Sequence, residues 1–240
     1  LVKEGVQEIS AERRKQMVRD MKSSGIECAG LHWLFTPPPH GLHFTTADQQ
    51  LREKSINYLD QLIDFCGDLG GEIMVFGSPG QRGTTDGVSL QEAKNYFADG
   101  LAKVANHAKE RNVTILIESL PKSSTDVVNI LKEAIEIVDK IGHPSISSMF
   151  DFHNTLDETE PWPLLIRKYY DNIKHIHVQN MDGTLIMKDS IPENFIPVFQ
   201  ALRNLSYKKW VSLEVFDFSP GGKFIAEESF KTFLEIEKRL

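Results

Sequence analysis

The chain has 240 residues, 40% hydrophobic and 25% charged, with 27 lysines and arginines against 34 aspartates and glutamates and a formal net charge of −7. That is long enough to bury one large core and falls within the ordinary globular range. An acidic balance argues against a phosphate-backbone partner, which needs a basic surface, so nucleic acid is not expected as a ligand. No run of 18 or more apolar residues occurs, and no basic start leads into an apolar stretch. A membrane partner is therefore not expected and a cytoplasmic location is. Cys28 and Cys66, far apart in sequence and in apolar or helical surroundings, read as reduced, packed thiols and not as a disulfide framework.

Taken in order, helical and strand patterns alternate. Residues 10–24 form an amphipathic helix pattern with Ser10 as N-cap, ended by Gly25 before the strand-like IECAGLHWLF. A second helix over 47–70 closes on glycine and leads into EIMVFGSPG; a third, 89–111, leads into VTILIESL. A fourth, 124–141, precedes SISSMFDFHNT; helix 161–172 precedes KHIHVQN; helix 192–205 precedes KWVSLEVFDF; and 224–240 forms a last helix. The expectation is six strands and seven helices.

Strict alternation without hairpin signals argues for a parallel sheet with helices outside it, either an open doubly wound sheet or a closed (β/α)8 barrel. Strand parity chooses between them. In VTILIE, Val113, Ile115 and Ile117 oppose Thr114, Leu116 and Glu118; in KHIHVQ, Ile176 and Val178 oppose His175, His177 and Gln179; Val211, Leu213 and Val215 oppose Ser212 and Glu214. One face is aliphatic and the other polar, which suits a barrel with a polar mouth better than a sheet covered on both sides. The fold expected is an α/β (β/α)8 TIM barrel, a single domain over 1–240. Six strands fall short of eight, and LVKEGVQEIS reads like the loop after a preceding strand. About two N-terminal βα units, at ~30 residues each, are expected to be missing. Either the natural protein is longer or the open edges pair with a partner, such as a second copy in a homo-oligomer.

Four of the apolar runs end in a potential metal ligand: Glu118, Asp151, His177 and Glu214, spaced 33, 26 and 37 residues apart. Such spacing is one strand-plus-helix unit each time, which sets the ligands at one end of neighbouring strands, whereas zinc fingers and calcium loops crowd theirs together. Three carboxylates and one imidazole make an oxygen-rich set for one divalent cation, Mn2+, Mg2+ or Co2+, with Zn2+ compatible. Any one of these residues alone reads equally well as a helix cap or ion-pair partner; four in register favour a metal.

The order Glu118, Asp151, His177, Glu214 on successive strands, with the element His175-Ile176-His177, resembles the xylose-isomerase-like TIM-barrel superfamily, most nearly its sugar phosphate isomerase/epimerase group. GLHWLF, MVFGSPGQR and FDFHNTLDE look like one subgroup of sugar isomerases, and the resemblance runs from about residue 10 onward. It implies that the four residues hold one divalent metal, that Glu118 and Glu214 are also the acid/base pair, and that the substrate is a sugar or sugar phosphate. On that reading a metal chelated by a ketose carbonyl and hydroxyl would acidify the carbon-bound proton, and one glutamate would remove the proton that the other returns, by way of an enediolate. Epimerisation or isomerisation follows according to where the proton lands.

Ser124 stands where the better-known epimerases of the group have a second glutamate, Gly183 where they have an arginine, and Asn154 where they have a histidine. These departures argue against a simple ketohexose 3-epimerase and for different substrate contacts. Arg82 in GSPGQR, suited to bidentate anion recognition, is the first candidate, with His32, His153 and Asn154 beside it. His175 reads as support for His177, Trp33 and Phe35 as packing or pocket wall, and His43, His107 and His143 as solvated. Alternatives are a dehydratase of the inosose or dehydroshikimate type, using the same metal and proton abstraction, and an inactive or binding-only truncated relative. The endonuclease branch of the superfamily needs more histidine ligands and a less acidic surface.

Overall fold

The computed structural model describes residues 5–36 and 39–240, and the chain divides into two compact units, residues 1–148 and 149–240. Residues 1–4 of the opening segment lie outside the described residues. Six strands and seven α-helices occur among the described residues, in the alternating order expected.

The N-terminal unit runs α1 (Ala11–Ser23), β1 (Gly30–Leu31), α2 (Gln49–Asp68), β2 (Ile73–Phe76), α3 (Leu90–Glu110), β3 (Thr114–Ile117), α4 (Leu131–Ile141) and the start of β4 (Ile146–Asp151). Local chemistry fixes the helix starts. Ser10 accepts the Arg13 N–H at 3.2 Å, Asp48 accepts that of Leu51 at 3.1 Å, and Ser89 and Glu92 exchange hydrogen bonds as a capping box, each satisfying donors that a helix start otherwise leaves open. All pairings are parallel: Gly30 faces Ile73, Ile73 faces Thr114, and Ile115 faces Ile146.

In this unit two elements differ most from the sequence reading. The strand expected over 26–35 shrinks to Gly30–Leu31, because Trp33 turns into the left-handed region at φ 54° and ends the extended run. Gly30 itself lies against the neighbouring strand; a Cβ there would stand 2.0 Å from the Ile73 carbonyl oxygen. The fourth helix starts at Leu131 instead of 124. The Asn129 side chain donates to the Leu120 and Thr125 carbonyls at 2.9 and 2.7 Å, and Val128 adopts φ 65°, so residues 121–130 form a self-bonded loop.

The core of this unit is an aromatic cluster. Phe76 lies 5.0 to 5.1 Å, centroid to centroid, from Phe35, Phe44 and Phe97, all essentially unexposed. Burying each such ring contributes ~1.5–3 kcal/mol. Phe35 is thus core. Both thiols pack where expected: a Cβ on Gly71 would meet the Cys66 Sγ at 2.8 Å and the Cys28 Sγ at 3.3 Å, both cysteines are free, and burial pushes the Cys66 thiol up to about 12. On the outer helices His107 is ion-paired, contrary to the solvated reading. Its ring lies 2.6 Å from Asp60 and 3.0 Å from Asp64 of α2, while Asp68 joins Arg14 of α1 to Arg111 next to α3.

The C-terminal unit holds the end of β4, then α5 (Trp162–Lys168), β5 (Ile173–Val178), α6 (Ile196–Asn204), β6 (Val211–Leu213) and α7 (Gly222–Lys238). The Phe152 N–H donates to the His177 carbonyl at 3.2 Å, and β5 pairs β6 in parallel with His177 facing Ser212. Phe152 anchors the packing, 4.4 Å from Phe195 and 5.6 Å from both Phe199 and Trp162. No described helix is long and apolar enough to cross a membrane.

Candidate metal centre

In the C-terminal unit the strand ends bring three of the expected ligands together. Asp151 is the last residue of β4, His177 lies one residue before the end of β5, and Glu214 directly follows β6. Because His177 faces Ser212, Glu214 two residues later returns to the same face of the sheet. One ligand atom from each of the three lies within 4.8 Å of the other two. Asp151 and His177 are 5% and 4% exposed, and the Glu214 side chain 9%.

Each carboxylate is held by its own neighbours. Asp151 Oδ1 accepts the His153 backbone N–H at 2.8 Å and Oδ2 accepts the Asn154 amide at 2.7 Å. Glu214 Oε2 accepts the amide of Gln179, a fully buried residue, at 3.2 Å and stands 3.0 Å from His177 Nδ1. Two ligands bound at ~2.1 Å and at right angles on one ion would be about 3 Å apart, so this spacing fits a shared divalent cation. The donor set, two oxygens and an imidazole nitrogen in a buried setting, fits the same ion class.

Sequence reading left Gln179 without a role. Its place directly after β5, in alternation with His175 and His177, was the available signal. Asn154, expected to contact substrate, spends its amide on Asp151. His153 is partly exposed, its ring 5.5 Å from that of Phe216.

In the N-terminal unit Glu118 follows β3 directly, 3% exposed, its backbone N–H donating to the Phe76 carbonyl at 3.3 Å. Gly77 makes room for it: a Cβ there would stand 2.1 Å from Glu118 Oε2. Arg82 is fully buried; its Nη1 donates to the same Phe76 carbonyl at 3.0 Å. Burial draws its guanidinium down to about 10 while Glu118 pulls it back up, so it stays charged at neutral pH. His32 follows β1 and is partly buried, its ring 5.4 Å from that of Trp33.

Parallel βα units carry carboxylates and a histidine at their strand ends, a set of groups that could hold a metal ion on an α/β scaffold. The chain belongs to the xylose isomerase-like TIM-barrel family, whose model matches residues 3–236, and its fold is that of the family. It is 27% identical over 201 residues to a probable ketose 3-epimerase of Synechocystis sp., covering 82% of this chain and 69% of that protein. A D-psicose 3-epimerase of Enterocloster bolteae is 31% identical over 117 residues, 48% of this chain and 38% of the relative. Among solved structures, a 3-keto-D-glucoside 4-epimerase from E. coli superposes with a TM-score of 0.78 at 14% identity, over 95% of this chain and 85% of that one.

Proposed function

We propose that the protein is a divalent-metal-dependent epimerase or isomerase of a ketose or sugar phosphate. The observation that carries this is the buried gathering of Asp151, His177 and Glu214 within 4.8 Å. Glu118 is assigned as the fourth ligand, since it follows β3 as Glu214 follows β6, and Mn2+, Mg2+ or Co2+ suits the set. When bound, the ion supplies Lewis-acid polarisation of a carbonyl. The chain supplies the rest.

Glu118 and Glu214 are the acid/base pair: one takes the proton from the carbon beside the carbonyl and the other returns it, to that carbon in epimerisation or to its neighbour in isomerisation. Burial of both carboxylates excludes water that would exchange or misplace the proton. Asn154 and Gln179 keep Asp151 and Glu214 in one orientation. His32 and His153, partly exposed at strand ends, contact substrate hydroxyls.

The test is incubation of the purified protein with Mn2+ and a panel of ketoses and sugar phosphates in D2O, followed by chromatography and mass spectrometry. An epimer or isomer carrying one deuterium is expected. A product lighter by one water supports the dehydratase reading instead. Absence of both Mn2+ binding by calorimetry and deuterium incorporation overturns the proposal in favour of a binding-only relative.

A further inference from the structure

Arg82 does something other than what a loop arginine beside an anion-binding mouth would do. Its side chain has no exposure, so it is part of the wall. Nη1 is anchored on the Phe76 carbonyl at 3.0 Å, and that same oxygen accepts the Glu118 backbone N–H at 3.3 Å. One carbonyl therefore sets the origin of both side chains, using its two lone pairs. The Phe97 ring, 5.7 Å from Cζ, packs against the guanidinium. Among the described residues Nε and Nη2 have no hydrogen-bond partner, yet both are buried. A buried cation of this kind persists only beside a compensating charge, and Glu118 is the acidic group whose charge acts on it.

The residue that follows Phe76 completes the arrangement. Gly77 lies so close under Glu118 that a Cβ would be 2.1 Å from Oε2 and 3.3 Å from Cδ, so the carboxylate rests on bare backbone. The loop is held from outside: the Phe44 N–H donates to the Gln81 carbonyl at 2.7 Å, the Thr45 hydroxyl to the Gly83 carbonyl at 2.6 Å, and the Thr84 N–H to Asp126 at 2.8 Å. The stretch from Phe76 to Arg82 is thereby fixed before any ligand arrives.

We infer that this stretch is a built seat for the Glu118 carboxylate, in which Gly77 provides the space and Arg82 is a positioning residue that sets the carboxylate's direction without touching substrate. The inference rests on the proposed role of Glu118. It also accounts for the motif GSPGQR, whose glycine lies against the Glu118 carboxylate and whose arginine carries a charge that interacts with it. A fixed guanidinium charge favours one orientation of the carboxylate by Coulomb attraction, with the carboxylate's lone pairs left for a metal or a proton.

The test compares Arg82→Met, Arg82→Lys and Gly77→Ala. Calorimetry of the metal-free proteins with Mn2+ should show affinity reduced by about 10-fold or more in R82M and G77A, the range for losing support of a ligand. R82K, which keeps the charge, should recover most of it. In turnover R82M should lower kcat with KM within about twofold, because no substrate contact is lost. A raised KM at unchanged kcat, or unchanged Mn2+ affinity in both R82M and G77A, overturns the inference. Crystal structures of the metal-free variants separate it from the functional reading: Glu118 turned away in R82M and in place in R82K supports the seat even where no ketose is turned over, and Glu118 unmoved in R82M refutes it even where one is. Should R82M fail to fold, R82K and G77A carry the same comparison.

Discussion

Replacing Gln179 by leucine separates metal affinity from stability. Gln179 is unexposed and its amide donates to Glu214 Oε2 at 3.2 Å. A hydrogen bond to a charged group contributes ~1.5–3 kcal/mol net. Independently, losing a partner that orients a metal ligand costs ~10–100-fold in affinity, which is about 1.4–2.8 kcal/mol. The first figure is a folding contribution present with or without the ion; the second sets affinity, so Gln179→Leu should weaken Mn2+ binding by one to two orders of magnitude. Stability should move differently. Oε1 of Gln179 is buried without a hydrogen-bond partner among the described residues, a deficit of ~1–3 kcal/mol that leucine, of similar size and apolar, removes. Against this stands the loss of the bond to Glu214, ~1.5–3 kcal/mol, so the metal-free variant should unfold close to the wild-type temperature. Calorimetric titration and thermal unfolding of the metal-free protein read the two quantities. Unchanged Mn2+ affinity, or a loss of affinity matched by a large drop in Tm, would refute the reasoning.

Three further outcomes follow from named contacts. Asn154→Ala removes a 2.7 Å charge-assisted bond to Asp151 and should weaken Mn2+ binding about tenfold with the fold retained by circular dichroism. At Gly100→Ala the new Cβ would stand 2.4 Å from Cε1 of the unexposed Phe44. The helix gains ~1 kcal/mol from alanine, but overpacking a rigid ring costs ~1–3 kcal/mol, so Tm should fall; a raised Tm contradicts the packing. Burial works against charge on His107, but hydrogen bonds and charges of Asp60 and Asp64 outweigh it and raise its pKa. A raised folded value means the stabilisation is complete below the unfolded value near ~6.5 and is lost as pH rises through the folded one. The gap in urea stability between wild type and His107→Gln, about 1 kcal/mol at pH 6, should close by pH 9; a constant gap excludes the ion pair as its source.

Much of the fold can be read from spacing because each unit carries its own punctuation. Ser10, Asp48 and Ser89 announce helix starts by a chemistry that depends on three or four residues only. The misread boundaries depend on long-range contacts. The run 124–130 looks helical in isolation, and the bonds from Asn129 back to Leu120 and Thr125 make it a loop. The aliphatic run before Trp33 looks like a long strand, and its shortening follows from the turn at Trp33. At the site, Asp151, His177 and Glu214 stood out as ligand types at regular intervals. Gln179 and Gly77 did not, since an amide or a glycine at a strand end has many uses, and their partners, Glu214 and Glu118, lie 35 and 41 residues further along the chain.

The loop that follows Glu118 also governs how binding heat and entropy should divide. Leu120 and Val128 close it through a 3.1 Å backbone hydrogen bond, Asn129 ties its two ends, Glu133 accepts the Asn129 N–H at 2.6 Å, and Asp126 is bonded to Thr84 through both backbone and hydroxyl. Such a segment has already lost its conformational freedom on folding. A small ligand settling against it would meet a finished surface, and its association should carry little of the unfavourable entropy that accompanies the ordering of a flexible lid.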